Sequence, residues 1–238
     1  MMPPTAPTAA AATPAAAPTS PSAAPLLNPG LPTYPTPVAM LSHMLTLTSQ
    51  HELVRNFIGV ICDMSPEALV VETELFPRDA LDFYSRYNLF LLDLEGSERD
   101  RALYKQFYTP ARGGGQGDYR DGMPEKIANV VDALRKFPGT KRAVIPIPHT
   151  RAGSVSADHT NTDEAKCLRE LHFHLDVDPS NPKAPRRLCC TGLMRAQAAS
   201  IFPKNIHFIG TIMHSIAKQI NAPVGTYTHI VTTLVNER

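Results

Sequence analysis

The chain has 238 residues, in which 23 Lys plus Arg face 22 Asp plus Glu for a formal net charge of +1. So even a balance excludes the broad basic field that draws nucleic acid or an anionic membrane surface, and any anionic ligand must be held by local cations. Four cysteines in a chain of this length do not make a disulfide framework, which points to a reducing, cytoplasmic setting, and no apolar run reaches the roughly 18 residues that cross a bilayer.

Residues 1–37 are almost wholly Ala, Pro, Thr and Ser. Such a segment cannot bury enough apolar surface to offset its ordering entropy, so a disordered tail is predicted. It has neither the leucine-rich middle of a secretory signal nor the arginines of a transit peptide. Residues 38–238 then read as one domain. Apolar positions in 38–45 recur at helical spacing and predict a first helix. Residues 68–75 read as a strand stopped by Pro77. A helical pattern runs through 84–108 and breaks around Gly96, and Gly113-Gly114-Gly115 predicts a flexible loop. Met123-Pro124-Glu125 opens a helix with Pro in its first turn. Residues 142–147 form a short strand, and the polar stretch 149–166 suits a loop arriving at a site. Residues 171–177 and 188–194 alternate, predicting two strands paired across the turn between them. Residues 206–220 carry the apolar spacing of a core helix, and 225–235 a last strand. Helices with mostly consecutive strands predict an α+β domain, one mixed sheet packed against helices.

The chemistry concentrates in the second half. Cys167 stands in Lys166-Cys167-Leu168-Arg169-Glu170-Leu171-His172-Phe173, followed later by Met194-Arg195 and by Phe202-Pro203-Lys204-Asn205. A lone cysteine is most often a small buried hydrophobe. A nucleophilic one needs a cation beside it to favour the thiolate, and pairing of the strands at 171–177 and 188–194 brings Arg195 next to Cys167. Asn205, ahead of the helix at 206–220, would serve well as its N-cap. His172, His174, His149, His159 and the Cys189-Cys190 pair lack the spacing of a metal centre, so no metal is expected. Gly113 to Gly117 lacks the Gly-Lys-Ser/Thr of a phosphate loop.

The run from Cys167 through His172-Phe173 to Arg195 and Asn205 resembles the thymidylate synthase family, in a divergent form that ends early at Arg238. The resemblance implies that fold, and a thiolate of Cys167 that adds to C6 of a pyrimidine nucleotide. It implies that Arg195 holds the phosphate and that Asn205 reads a uracil base. Asn88-Leu89-Phe90-Leu91-Leu92-Asp93-Leu94-Glu95 fits a second family pattern and implies Glu95 as general acid/base. Lys141-Arg142-Ala143-Val144-Ile145 looks like the strand whose basic residues reach a partner subunit's phosphate, implying a homodimer with Lys141 and Arg142 at substrate. Arg120, after Asp118-Tyr119, is a weaker match to a further phosphate arginine, and His172 stands where the family has a glutamine. Gly225-Thr226-Tyr227-Thr228-His229-Ile230 resembles the strand that opens the sugar-binding segment.

Departures accompany these matches. Ala196 replaces the serine after the arginine, the stretch Gln197-Ala198-Ala199-Ser200 replaces an aspartate that holds the folate pterin, and Val235-Asn236-Glu237 replaces a His-x-Tyr. The resemblance implies an enzyme that transfers a one-carbon unit, methyl or hydroxymethyl, to C5 of a uridylate-like pyrimidine nucleoside monophosphate, with 5,10-methylenetetrahydrofolate as the implied donor. The competing expectation is a catalytically silent module that keeps the fold for binding or interaction.

Overall fold

The computed structural model describes residues 30–112, 117–147, 166–177, 181 and 183–236. The expected tail up to residue 29, the loop at Gly113-Gly114-Gly115 and the loop through 149–165 lie outside the described residues.

One strand, β7 (Val224–Val235), organises the sheet. Its residues alternate between buried and half-buried along nearly the whole length, the period-two pattern of a strand with one face on a core. It pairs antiparallel with β2 (Leu53–Ile61) and parallel with β5 (Arg187–Met194). β5 pairs antiparallel with β4 (Leu168–Asp176), which pairs antiparallel with β3 (Val144–Pro146). β1 (Thr33–Tyr34) lies parallel to β2, and β6 (Gln197–Ala198) pairs with β7, giving among the described residues a seven-stranded mixed sheet in the order β1-β2-β7-β5-β4-β3.

Five α-helices accompany it among the described residues: α1 (Pro37–Gln50), α2 (Arg78–Asn88), α3 (Glu98–Phe107), α4 (Met123–Lys136) and α5 (Phe202–Ile220). Thr36 caps α1 by accepting from the Ala39 N–H at 3.3 Å, and Pro37 follows in the first turn, where its missing donor costs nothing. α5 is the central helix, with Phe202, Phe208, Ile212, Met213 and Ile216 all buried in the core that also takes Met40, Phe173 and Tyr227. Gly210 allows the segment around Leu69 to lie on α5, since a Cβ there would stand 2.3 Å from Leu69 Cδ1. A smaller cluster around Phe76, Phe83, Tyr87 and Phe107 joins α2 to α3. No helix among the described residues is long and apolar enough to cross a membrane.

The two faces of the sheet differ. Phe173, Cys190, Tyr227 and Ile61 share a row across four strands and are buried in the helix-covered core. Glu170, Leu193, Ile230 and Ile58 share a row on the opposite face and are only half-buried.

The α+β expectation holds, and several boundaries move. Residues 30–37, assigned by composition to the tail, carry β1 and the start of α1, with Tyr34 buried against Phe57. Residues 68–75 are turn and irregular backbone rather than a strand. Leu69 and Val71 are apolar because they are buried, not because they pair in a ladder. The helical stretch through 84–108 splits into α2 and α3, and the residues between them are not helical. α5 begins at Phe202, so Asn205 lies inside the helix instead of capping it.

Candidate active site

Cys167 immediately precedes β4 and is half-buried. Its carbonyl accepts the Arg195 backbone N–H at 2.9 Å, one step beyond the Leu168–Met194 pair that joins β4 to β5. The hairpin register therefore fixes where the sulfur stands. Tyr119 closes one side: its hydroxyl accepts the Leu168 N–H at 3.3 Å, and burial pushes its phenol well above the usual range.

These groups open onto a cavity of about 420 Å³, within the range of small-molecule sites. Its wall comprises Cys167 and Tyr119, the segment 196–198 with Ser200, the side chains of Lys204 and Asn205 from the first turns of α5, and apolar contributions from Leu75, Pro110 and Ala111. Pro203, in the first turn, donates no hydrogen bond, so the buried start of this helix has one fewer N–H to satisfy. Asn205 is buried and faces the same space as the thiol.

Lys204 is the most unusual group in the wall. It is 3 % exposed, donates to the Arg112 carbonyl at 2.7 Å and lies 4.6 Å from the centre of the Tyr84 ring. Burial lowers its amine to about 8, opposed in part by the attraction of a Cys167 thiolate. No Asp or Glu belongs to the cavity wall among the described residues. Gln197 is also 3 % exposed, and neither Oε1 nor Nε2 of its carboxamide has a hydrogen-bond partner among the described residues.

The structure thus brings Cys167 and Asn205 together and sets Arg195 beside them through the backbone. The Arg195 side chain is exposed, with Nε donating to the Lys166 carbonyl at 3.2 Å. The other expected residues stand elsewhere. Glu95 is exposed in a turn between α2 and α3, its carbonyl accepting from Arg101 at 2.7 Å, and it is not part of the cavity wall. Arg120 is paired with Asp118 at 2.8 Å and lies 4.2 Å over the Tyr87 ring. His172 is exposed on β4, with Nε2 3.2 Å from Glu170 Oε1. Lys141 and Arg142, ahead of β3, line a separate shallow depression beside the end of α4, formed with Asp132, Lys136 and Phe137.

His174, Asp176 and Cys189 gather on β4 and β5 with their ligand atoms within 4.8 Å of one another, outside the cavity wall. The across-strand pairing of His174 with Cys189 creates this group, a juxtaposition that linear spacing does not display.

Sequence reasoning passes over Lys204 and Gln197. The signal available for Lys204 is a single charge inside an apolar run, Ile201-Phe202-Pro203-Lys204-Asn205-Ile206, which an ordinary surface lysine of an amphipathic helix also produces.

No protein-family model matches the chain, and no curated protein matches it. Among solved structures, the chain is similar to the crystal structure of thymidylate synthase from T4 phage. The two share 13% sequence identity with a TM-score of 0.53, over 82% of this chain and 74% of that one. That likeness is one of fold: a mixed sheet with helices arranged as in a thymidylate synthase.

Proposed function

We propose that this protein transfers a one-carbon unit to C5 of a uridylate-like pyrimidine nucleotide, through a covalent bond from Cys167 Sγ to C6 of the ring. The observation that carries the reading is the shared cavity: a half-buried thiol, the Asn205 amide and the Arg195 backbone meet beside about 420 Å³ of open space, in a fold like that of thymidylate synthase.

The chemistry follows from the ring. C5 of uracil is a weak nucleophile until a soft thiolate adds at C6, which moves the ring's electron pair onto C5 and the O4 oxygen. C5 then attacks the one-carbon electrophile, loses its proton, and expels the thiolate as the ring becomes aromatic again. Asn205 offers one donor and one acceptor, which suit O4 and N3–H of uracil together. Arg195, exposed and next in sequence to Ala196 of the wall, offers a guanidinium suited to a phosphate.

The folate donor implied by the family resemblance fits less well. A pterin presents a 2-amino group and an N3–H side by side, two donors that call for a carboxylate. The described wall has none, and Ala198 stands in the stretch concerned. These residues do not fit that donor.

A homodimer belongs to the same proposal. The half-buried row of Leu193, Ile230 and Ile58 on the face opposite the core is a surface that a second copy would cover, and a homodimer is expected by light scattering. The silent-module reading draws on a different observation: Glu95 lies away from the cavity, leaving no acidic residue in the described wall.

Intact-mass measurement with 5-fluoro-deoxyuridine monophosphate tests the reading. The wild-type protein gains the mass of one nucleotide, mapped to Cys167, and Cys167→Ser gains none. A wild-type protein that stays unmodified, or a Cys167→Ser protein labelled equally well, removes Cys167 as the nucleophile. An adduct without turnover favours the silent module.

A further inference from the structure

The cavity contains two side chains whose burial is not explained by the protein around them. An ammonium has three donors, and Lys204 uses one on the Arg112 carbonyl while the Tyr84 ring covers another side. It forms no ion pair among the described residues, and it is 3 % exposed. Lysine is seldom buried so deeply without a carboxylate, because desolvating the charge is unfavourable. Gln197 repeats the pattern in a neutral group. Its carboxamide carries a donor and an acceptor, both shut from solvent and both without a partner among the described residues, and a turn of the side chain would bring them to the cavity that Gln197 lines. Such groups in a native wall call for an explanation, and a bound ligand is one.

We propose that Lys204 and Gln197 select the ligand of this cavity, the ammonium by donating to the ring carbonyl oxygen that Asn205 also reaches and the carboxamide by donating to the ring's other carbonyl oxygen. The chemical class is a planar heterocycle with a lactam edge, in contrast to one carrying an exocyclic amino group. An amino group turned toward Lys204 would set donor against donor and give the ammonium nothing beyond its bond to the Arg112 carbonyl. A carbonyl there receives a charge-assisted bond, and its oxygen is one on which charge accumulates when a thiolate adds to the ring. The amine, lowered to about 8 by burial, still carries its proton in most molecules at neutral pH.

The choice of a pyrimidine as the heterocycle rests on the function proposed above, whereas the selection by Lys204 and Gln197 does not. Two experiments on the same proteins separate them. Calorimetry gives dissociation constants for deoxyuridine and deoxycytidine monophosphates with wild type, Lys204→Met and Gln197→Leu, alongside the melting temperature of each free protein. The wild type prefers the uracil nucleotide by about tenfold or more, the value of one charge-assisted hydrogen bond. Lys204→Met brings the two nucleotides within about threefold, chiefly by losing the uracil one. Gln197→Leu weakens the uracil nucleotide roughly tenfold, and its free form melts no lower than wild type because the deleted amide has no partner to lose.

A wild type without preference, or a Lys204→Met protein that keeps the preference, overturns the role of Lys204. A Gln197→Leu protein that melts several degrees lower with its affinity intact overturns the role of Gln197. Adduct formation at Cys167 with the base preference untouched by Lys204→Met defeats this inference and leaves the proposed chemistry. Preference that collapses in Lys204→Met, with no adduct in any protein, does the reverse, and a wild type that binds neither nucleotide overturns both.

Discussion

Lys204 and His229 are both basic side chains taken out of water, and in both cases burial favours the neutral form, lowering the amine to about 8 and the imidazole to about 3. Their surroundings differ. His229 sits on β7, buried in the core, with its Nδ1 2.9 Å from the Tyr227 hydroxyl and its Nε2 without a partner among the described residues, and its ring stands 5.4 Å from that of Phe202 and 6.5 Å from that of Phe57. It belongs to the wall of no cavity described above. Lys204, with a similar degree of burial, faces about 420 Å³ of open space beside a thiol. A depressed pKa therefore does not by itself mark a functional group. Open space beside the group makes the distinction, since a buried atom without a partner occurs in both places.

The largest consequence of that difference falls on His229. Between pH 6.5 and about 3 an unfolded chain protonates this histidine while the folded one does not. The unfolded state then binds more protons, and stability falls as the pH drops through that window. The loss amounts to about 5 kcal/mol over the whole window, of which about 3 kcal/mol falls above pH 4. In His229→Leu that component of the acid sensitivity disappears, whatever the variant's stability at neutral pH, and denaturant melts from pH 7 to pH 4 measure it. An unchanged slope would mean that His229 is solvated.

Lys204 acts at the other end of the pH scale. Its folded amine titrates near 8, against 10.5 when unfolded, so the unfolded state again binds more protons between these values. Stability therefore rises with pH through this window, by about 3 kcal/mol. Lys204→Met flattens the rise, and the same denaturant melts carried from pH 7.5 to pH 10 read it. If the two buried bases are as different as their surroundings indicate, only Lys204→Met also changes ligand binding, while His229→Leu leaves it intact.

The smallest effect belongs to an arginine that the sequence groups with the site and the structure does not. Arg120→Ala loses the ion pair with Asp118 and the stack over Tyr87. A partly exposed pair and one cation–π contact are together worth about 1 kcal/mol. Affinity for deoxyuridine monophosphate should stay unchanged in calorimetry, and a tenfold loss would bring Arg120 back to the ligand.

The proximity of Cys167 and Arg195 was legible because alternation in two neighbouring segments fixes a hairpin, and a hairpin fixes which residues lie opposite. The α+β class followed from the same periodicities. β2 was not legible: Arg55 and Asn56 interrupt its apolar pattern, and Asn56 takes a φ of 55° within it, a conformation no hydropathy profile encodes. Residues 68–75 misled in the opposite sense, since burial without pairing selects the same apolar residues as a strand. The cavity was least legible of all. Tyr119, Pro110 and Ala111 reach it from segments between helices, where no period links a residue to its spatial neighbours. Glu95 shows the converse, a residue with the expected spacing whose supporting helix ends at Asn88.

One feature of the sheet bears on how copies of the molecule meet. The described ladder terminates in a strand of 2 residues on one side and in one of 3 residues, closing on Pro146, on the other. β1 covers only Val60 and Ile61 of β2, so the outer edge of residues 53–59 meets no strand among the described residues, and an edge of that kind is one onto which another chain can add. Arg55 and Asn56, both exposed in that stretch and the second in the left-handed region, put a charge and a kink where such addition would begin, which hinders strand-to-strand growth.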